Sequence, residues 1–439
     1  MKNSIFKFAL AAMAATALFA SCGQDNSSTS EQELTSDTQK NRLDEIGEAF
    51  VNEFDIANWQ STTDGMAAAF LALNNIEGSK VNLTPEIEGT DSDGIRTETI
   101  DLSTLTGHFT IDEDNCINYA EEGSFNDLTL DFAADGHNYH VDFTVKNTGT
   151  TVMTDELASY EWEGDQEVEY VYKRKYLVLP ASITGKFTVD GSKTFDVTAS
   201  LKYSGPTDLE DVEAEGIAKL NVETVISVSA GDYTLDLAKA SFNGSDATED
   251  FTLSRAGKKL LGAVSNLKGV KVTTEEINEV YDPEEDVNGD GVYDENDYYY
   301  WNYTKTSETF ESADVALDIL GQLQVKGNVQ AEKIYNAMNA VNEDVVTIEM
   351  ANAFLLAIAQ YYDLGIYYDG GSIKQAWLSL VAAPDGDDYT ICPMVNFVDG
   401  TSYAAPQFFT ENNFAKTIQA VENLIGKVEA YIESLYQVQ

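Results

Sequence analysis

From about residue 100 to 270, apolar residues recur at every second position. Leu128-Leu130-Phe132 is one such run, Tyr139-Val141-Phe143-Val145 a second and Tyr233-Leu235-Leu237 a third. That period puts alternate side chains on opposite faces of a strand. Turn-forming pairs separate the runs, among them Asp135-Gly136, Asp190-Gly191 and Ser204-Gly205-Pro206. The pattern predicts antiparallel sheet joined by hairpins, one face apolar and the other carrying Asp, Thr and Lys. Trp377 and the segment Tyr389–Phe397 read as further short strands.

On either side the period lengthens to that of a helix. Leu43, Ile46, Phe50 and Phe54 fall on one helical face, and Met66, Phe70 and Leu73 predict a second helix over about 63–75, with Trp59 plugging the corner between them. Ile334, Met338, Val341 and Val345, then Met350, Phe354, Ile358 and Tyr361, predict helix within 328–364. The clearest stripe is the last: Phe414, Ile418, Val421, Ile425, Val428, Ile432 and Leu435 step by four and three, after Thr410 as a cap. This predicts one long helix packed along the sheet or on the 328–364 helices, with a coiled coil as the other use of the stripe. The expected fold is α+β, an antiparallel β-sheet body with helices at the N-terminal and C-terminal ends packed on it. A short motif also recurs, Leu105-Thr-Gly107, Ile183-Thr-Gly185 and Ile319-Leu-Gly321, each followed by alternating apolar residues; it hints at duplicated sheet architecture.

Composition changes the picture through charge. The chain has 75 acidic and 26 basic residues, a formal charge of −49. Such a field repels phosphate backbones and anionic headgroups, which argues against nucleic-acid partners and charge-driven membrane binding. With 43% apolar and 11% aromatic residues the chain is not disordered as a whole. Beyond Cys22, the cysteines are Cys116 and Cys392, a candidate disulfide that would close a very long loop, or else two separate thiols.

The N-terminus decides location. Lys2 and Lys7 precede an apolar run from Phe8 to Phe19, closed by Ala20-Ser21-Cys22. This is the layout of an export signal, and the run is too short for a permanent bilayer span. With its cysteine the segment resembles a bacterial lipobox, although the residue three before the cysteine is Phe19 where Leu is usual. The resemblance implies cleavage after residue 21, acylation of Cys22 and a membrane attachment made by lipid. Gly23, where an Asp would signal inner-membrane retention, implies an outer-membrane lipoprotein of the cell envelope, on its periplasmic or surface face. Residues 22–37 are polar and read as a flexible tether. Segments 38–272, a helical hairpin plus antiparallel sheet, and 304–439, strands and C-terminal helices, then flank a connection over 273–303.

That connection holds the one motif with chemistry in it. Asp286, Asn288, Asp290, Asp294 and Asp297 supply oxygen side chains at positions 1, 3, 5, 9 and 12 of a loop, Gly291 stands at position 6, and Val292 would offer its carbonyl at position 7. A hard dication needs six to eight close oxygens, and alternate residues of a tight turn deliver them to one centre. The loop resembles those of EF-hand and dockerin-type modules, which implies calcium; Asp rather than Glu at the last position implies weaker, monodentate ligation. Only one such loop is present, so paired-loop sensing or docking is not implied. The residues after it, Tyr298-Tyr299-Tyr300-Trp301-Asn302-Tyr303, read as strand rather than helix. Tyr298, Tyr300 and Trp301 are candidates for stacking on a sugar ring or a protein partner.

No Gly-x-Ser-x-Gly elbow, His-Glu-x-x-His, dinucleotide fingerprint or phosphate loop occurs. His108, His137 and His140 all fall in the hairpin-rich region and read as strand residues. Two functions fit. One is a lipid-anchored, non-enzymatic envelope protein, binding or structural, with one calcium-stabilised loop. The other is a surface glycan-binding protein or a glycoside hydrolase that uses the Tyr298–Tyr303 aromatic cluster, the hydrolase with two of the many carboxylates as well.

Overall fold

The computed structural model describes residues 33–55, 78–79, 85–92, 94–112, 116–121, 123–134, 136–163, 166–204, 221–243, 245–281, 299–340, 347–385 and 388–437. Cys22, the tether up to residue 32 and the expected 63–75 helix with Trp59 lie outside them.

The expectation of an α+β chain dominated by antiparallel sheet holds. The sheet is a walk from neighbour to neighbour. Strand β1 (Gly78–Ser79) and the hairpin β2 (Glu86–Thr90) and β3 (Arg96–Ile100) come first, followed by β4 (Gly107–Ile111) and β5 (Cys116–Glu121). Next come β6 (Leu128–Ala134), β7 (His137–Glu163), β8 (Gln166–Val189) and β9 (Ser192–Ser204). The meander continues through β10 (Asn221–Ala230), β11 (Tyr233–Phe242), β12 (Ala247–Arg255) and β13 (Lys258–Lys268). An excursion follows, β14 (Lys271–Tyr281) and β15 (Tyr299–Thr309), and then β16 (Ser312–Ile319) and β17 (Leu323–Val329). The last are β18 (Tyr362–Tyr368), β19 (Ala376–Asp385), β20 (Asp388–Phe397) and β21 (Ser402–Ala404). From β6 onward each strand pairs antiparallel with the next, except that β13 pairs directly with β16. The sheet therefore runs unbroken from the 38–272 part into the 304–439 part. Among the described residues only β14 and β15 leave it, as a ribbon that pairs with no third strand there. Parallel pairs occur near the start, β1 with β5, β4 with β6 and β3 with β8.

Register explains the two faces. Directly opposed residues share a face, and the pairs Val228↔Leu235, Leu235↔Leu253, Leu253↔Leu261, Leu261↔Ile319 and Ile319↔Leu323 carry an apolar stripe from strand to strand. Two strands further on, Ile366↔Ala376 and Ala376↔Phe397 prolong it. Helices cover one end of this stripe. They are α1 (Ser36–Asn52), α2 (Ala331–Ala340), α3 (Ile348–Ile358), α4 (Ala405–Phe408) and α5 (Ala415–Gln437). Leu43 and Ile46 of α1, Phe408 of α4 and Phe414 bury Ile319, Leu323, Ile366, Ala376 and Phe397. Further along the same strands, Ala351, Leu355 and Ile358 of α3 cover Ala382. At the other end, Phe132, Tyr139 and Phe187 stack at 4.9 and 5.9 Å between centroids. Between these ends burial is lighter: Tyr233 is the one buried residue of β10–β12, while Val225 is 44% and Leu235 46% exposed.

Several local expectations need correction. Residues 34–37, assigned to the tether, already belong to the body: the Leu34 amide donates to Gln375 at 2.8 Å and Ser36 is buried. The last helix starts at Ala415, because Thr410 instead closes a turn by accepting from the Asn413 and Phe414 amides. That helix packs on α1, not on the 328–364 helices. Asp44 of α1 accepts from the Thr417 amide at 2.9 Å and the Lys416 amide at 3.3 Å, capping α5 from outside its own chain segment. Gly47 leaves room for the Thr417 side chain. The three copies of the recurring glycine motif differ in context. Gly107 opens a strand, Gly185 sits within one and Gly321 forms a turn, so the likeness reflects strand patterning alone.

Candidate functional site

The calcium-loop residues Asp286, Asn288, Asp290, Val292, Asp294 and Asp297 lie outside the described residues, as does Tyr298. Their surroundings are described. Strands β14 and β15 pair in register over their whole length, from Lys271↔Thr309 to Tyr281↔Tyr299. The loop is thus the connection at the tip of a two-stranded ribbon. The strand expected after it is present, and in it Tyr300 pairs with Val280 and Trp301 with Glu279.

Cys116 and Cys392 are not bonded to each other. Cys116 opens β5 beside Gly78, whereas Cys392 lies in β20 opposite Val381, so each is held by a different strand pair. Burial pushes the Cys392 thiol up, which keeps it protonated and unreactive.

The three histidines each meet carboxylates. His140 Nδ1 lies 2.7 Å from Asp131 and its Nε2 3.1 Å from Asp142. Partial burial alone would lower its pKa, but the hydrogen bond to Asp131 and the two negative charges outweigh that and raise it. His137 Nδ1 lies 2.7 Å from Asp190, whose carboxylate is held below its ordinary range by the Asn138 amide and then by His137. His108 stacks on Phe125 at 3.8 Å and approaches Asp127 at 3.5 Å. An imidazole engaged by carboxylates at both nitrogens has no lone pair to offer as a base or metal ligand. His140 therefore acts as a cross-strand charge clamp. Among the described residues no group of three or more His, Cys, Asp or Glu is arranged to hold a metal ion.

Pattern reading missed one arrangement. On β19 the inward residues Ala376 and Leu378 alternate with Trp377, which faces the opposite, polar side and is 40% exposed. Its register partner on β18 is Gly365, and its partner on β20 is Asn396. The space a Cβ would take at Gly365 lies 2.8 Å from Tyr367 Cε2 and 2.8 Å from Lys374 Cε, so the tyrosine ring and the lysine stem lie across the glycine. Lys326 stands 4.4 Å from the Tyr367 centroid, and Lys374 pairs with Asp363 at 2.5 Å. Asn396, 7% exposed, is fixed by bonds to Trp377 O, Ser379 and Ser402. The available signal was a tryptophan out of phase with its apolar neighbours.

No protein-family model matches the chain, and no curated protein or solved structure matches it either. No helix among the described residues is long and apolar enough to cross a membrane.

Proposed function

We propose that the chain is a lipid-anchored protein of the cell envelope, non-enzymatic, with Cys22 as its acylation site and calcium as a staple for one loop. The observation that carries the metal half is the ribbon. Hairpin loops usually take two to five residues, and the connection between Tyr281 and Tyr299 is far longer. Residues 275–297 also hold eleven carboxylates, whose mutual repulsion opposes closure. A dication ligated by Asp286, Asn288, Asp290, Val292, Asp294 and Asp297 offsets both costs. The donor set fits it, being oxygen throughout. Calcium here is structural: it completes the end of an arm that pairs with no third strand among the described residues.

The test is calcium titration of the mature protein at fixed ionic strength, read by thermal melting. Wild type should gain in melting temperature, and Asp290→Ala should lose most of that gain. Equal calcium-dependent gains in the two proteins would reject the staple. Separately, Cys22→Ser should move the protein from the membrane to the soluble fraction. Continued membrane recovery of that variant would reject the lipid anchor.

A further inference from the structure

All three histidines of the chain fall at one end of the sheet, and each stands at a seam between strands. On β4, His108 lies 3.8 Å from Glu121 of β5 and 3.5 Å from Asp127, the residue before β6. On β7, His140 reaches its register partner on β6, Asp131, at 2.7 Å, and Asp142 at 3.1 Å. His137 joins the start of β7 to Asp190 in the β8–β9 turn at 2.7 Å. The β6–β7 seam matters most. Among the described residues β1, β5, β4 and β6 pair with one another, and only β6 pairs onward, with β7. The buried apolar residues on this side are few, Phe109 and Ile117 in one cluster and Phe132, Tyr139 and Phe187 in another.

We propose that this end of the sheet is a pH-responsive unit, its seams clamped by protonated histidine in mildly acidic medium and released as the medium turns alkaline. His140 carries the device through its geometry. Both ring nitrogens lie within 3.1 Å of a carboxylate, and only an imidazolium has a proton on each. Losing one proton sets a lone pair against a carboxylate and removes the cation between two anions. The surrounding groups leave that balance in place. The cross-strand row of His140 runs from Thr110 of β4 through Asp131 to Thr188 of β8 and Lys193 of β9, and Asp196 takes up Lys193 at 2.9 Å. In the adjacent row Asp142 stands between Thr129 of β6 and Lys186 of β8, with His108 beyond Thr129. Burial alone would lower the His140 pKa, but the hydrogen bond to Asp131 and the charges of Asp142 and Asp131 outweigh it and raise the value above the ordinary 6.5. The stabilisation is therefore complete below that ordinary value and is lost as pH rises through the higher folded one. The unit needs neither acylation nor calcium.

The experiment is amide hydrogen exchange of the mature chain at about pH 5.5 and about pH 8.5, each corrected for the intrinsic exchange rate, on either side of the histidine range. Peptides from 128–145 should lose protection at the higher pH in wild type, and His140→Gln should lose that pH dependence. Carbon-13-labelled histidine adds a second reading that needs no destabilising change. The His140 resonance of wild type should titrate above free histidine, and Asp131→Asn should bring its midpoint down. The proposal is overturned if 128–145 in wild type is protected equally at both pH values or better at the higher one. It is equally overturned if His140→Gln keeps the wild-type pH dependence, or if His140 titrates at or below free histidine.

Discussion

Single residues decide where the termini attach. Asp399 is the sharpest case. Its carboxylate accepts from the Ser36 amide at 2.7 Å, from the Thr401 amide at 3.0 Å and from the Thr401 hydroxyl at 2.6 Å. The Thr401 hydroxyl, then the Ser36 and Thr401 amides, hold it far below the usual carboxylate range. All three bonds favour the charged form, so its folded pKa is depressed relative to the unfolded chain. The stabilisation is therefore complete above the ordinary value of 3.8 and is lost as pH falls through the lower folded value. Asp399→Ala should melt earlier than wild type at neutral pH, and the gap should narrow as melts are taken into acid below about pH 3.8. A gap that stays constant with pH would show that the turn geometry, not the charge, ties α1 to the β20–β21 hairpin. Other residues act by shape. A Cβ on Gly327 would overlap the Asp363 carbonyl oxygen, so β17 and β18 can approach only with glycine there.

At the scale of elements, what was legible depended on how local the cause is. Strand period is local, and Leu128–Phe132, Tyr139–Val145 and Tyr233–Leu237 all lie in strands. The α1 stripe is equally local: Leu43 and Ile46 are its buried apolar positions. Helix partners are not local. The Phe414–Leu435 stripe gives a helix but not its neighbour, because the choice of α1 rests on Asp44 and Gly47, hundreds of residues away. The stripe is also only partly used, since Val421 is 37% and Ile425 50% exposed. Register is non-local too. The joining of β13 to β16 past a long excursion cannot be read from either strand alone, so the sequence suggested a connection where there is continuous sheet. Of the candidate sites, the oxygen spacing of 286–297 is a chain-local signal and could be read in full. The arrangement around Trp377 could not, because it needs Gly365 and Tyr367 brought alongside from another strand. Period two says that alternate residues part company; it does not say which set meets water.

For the whole molecule the opposing terms are charge and the light burial of β10–β12. At least thirteen of the 26 bases stand in ion pairs, including Lys202–Glu223, Arg255–Asp55 and Lys416–Glu45. Most of these pairs are at least partly exposed, and exposed pairs contribute little, ~0–1 kcal/mol each. The remaining carboxylates repel one another at longer range, and β10–β12 bury too little to offset that easily. Salt weakens both effects, but unequally. Going from about 10 to 150 mM shortens the screening length from ~30 to ~8 Å, which removes repulsion between distant carboxylates while leaving ion pairs at 3 Å mostly in place. Without calcium, the melting temperature should therefore climb as sodium chloride is raised over that range. Loss of the lipid signal would sharpen the effect, since residues 1–21 carry Lys2 and Lys7 and no acid, moving the charge from −49 to −51. A melting temperature that falls with salt would mean the ion pairs hold the sheet together. This response also sets the control for calcium: once repulsion is screened at 150 mM, any further gain at sub-millimolar calcium comes from a site and not from ionic strength, and Asp290→Ala should abolish that residue of the effect alone.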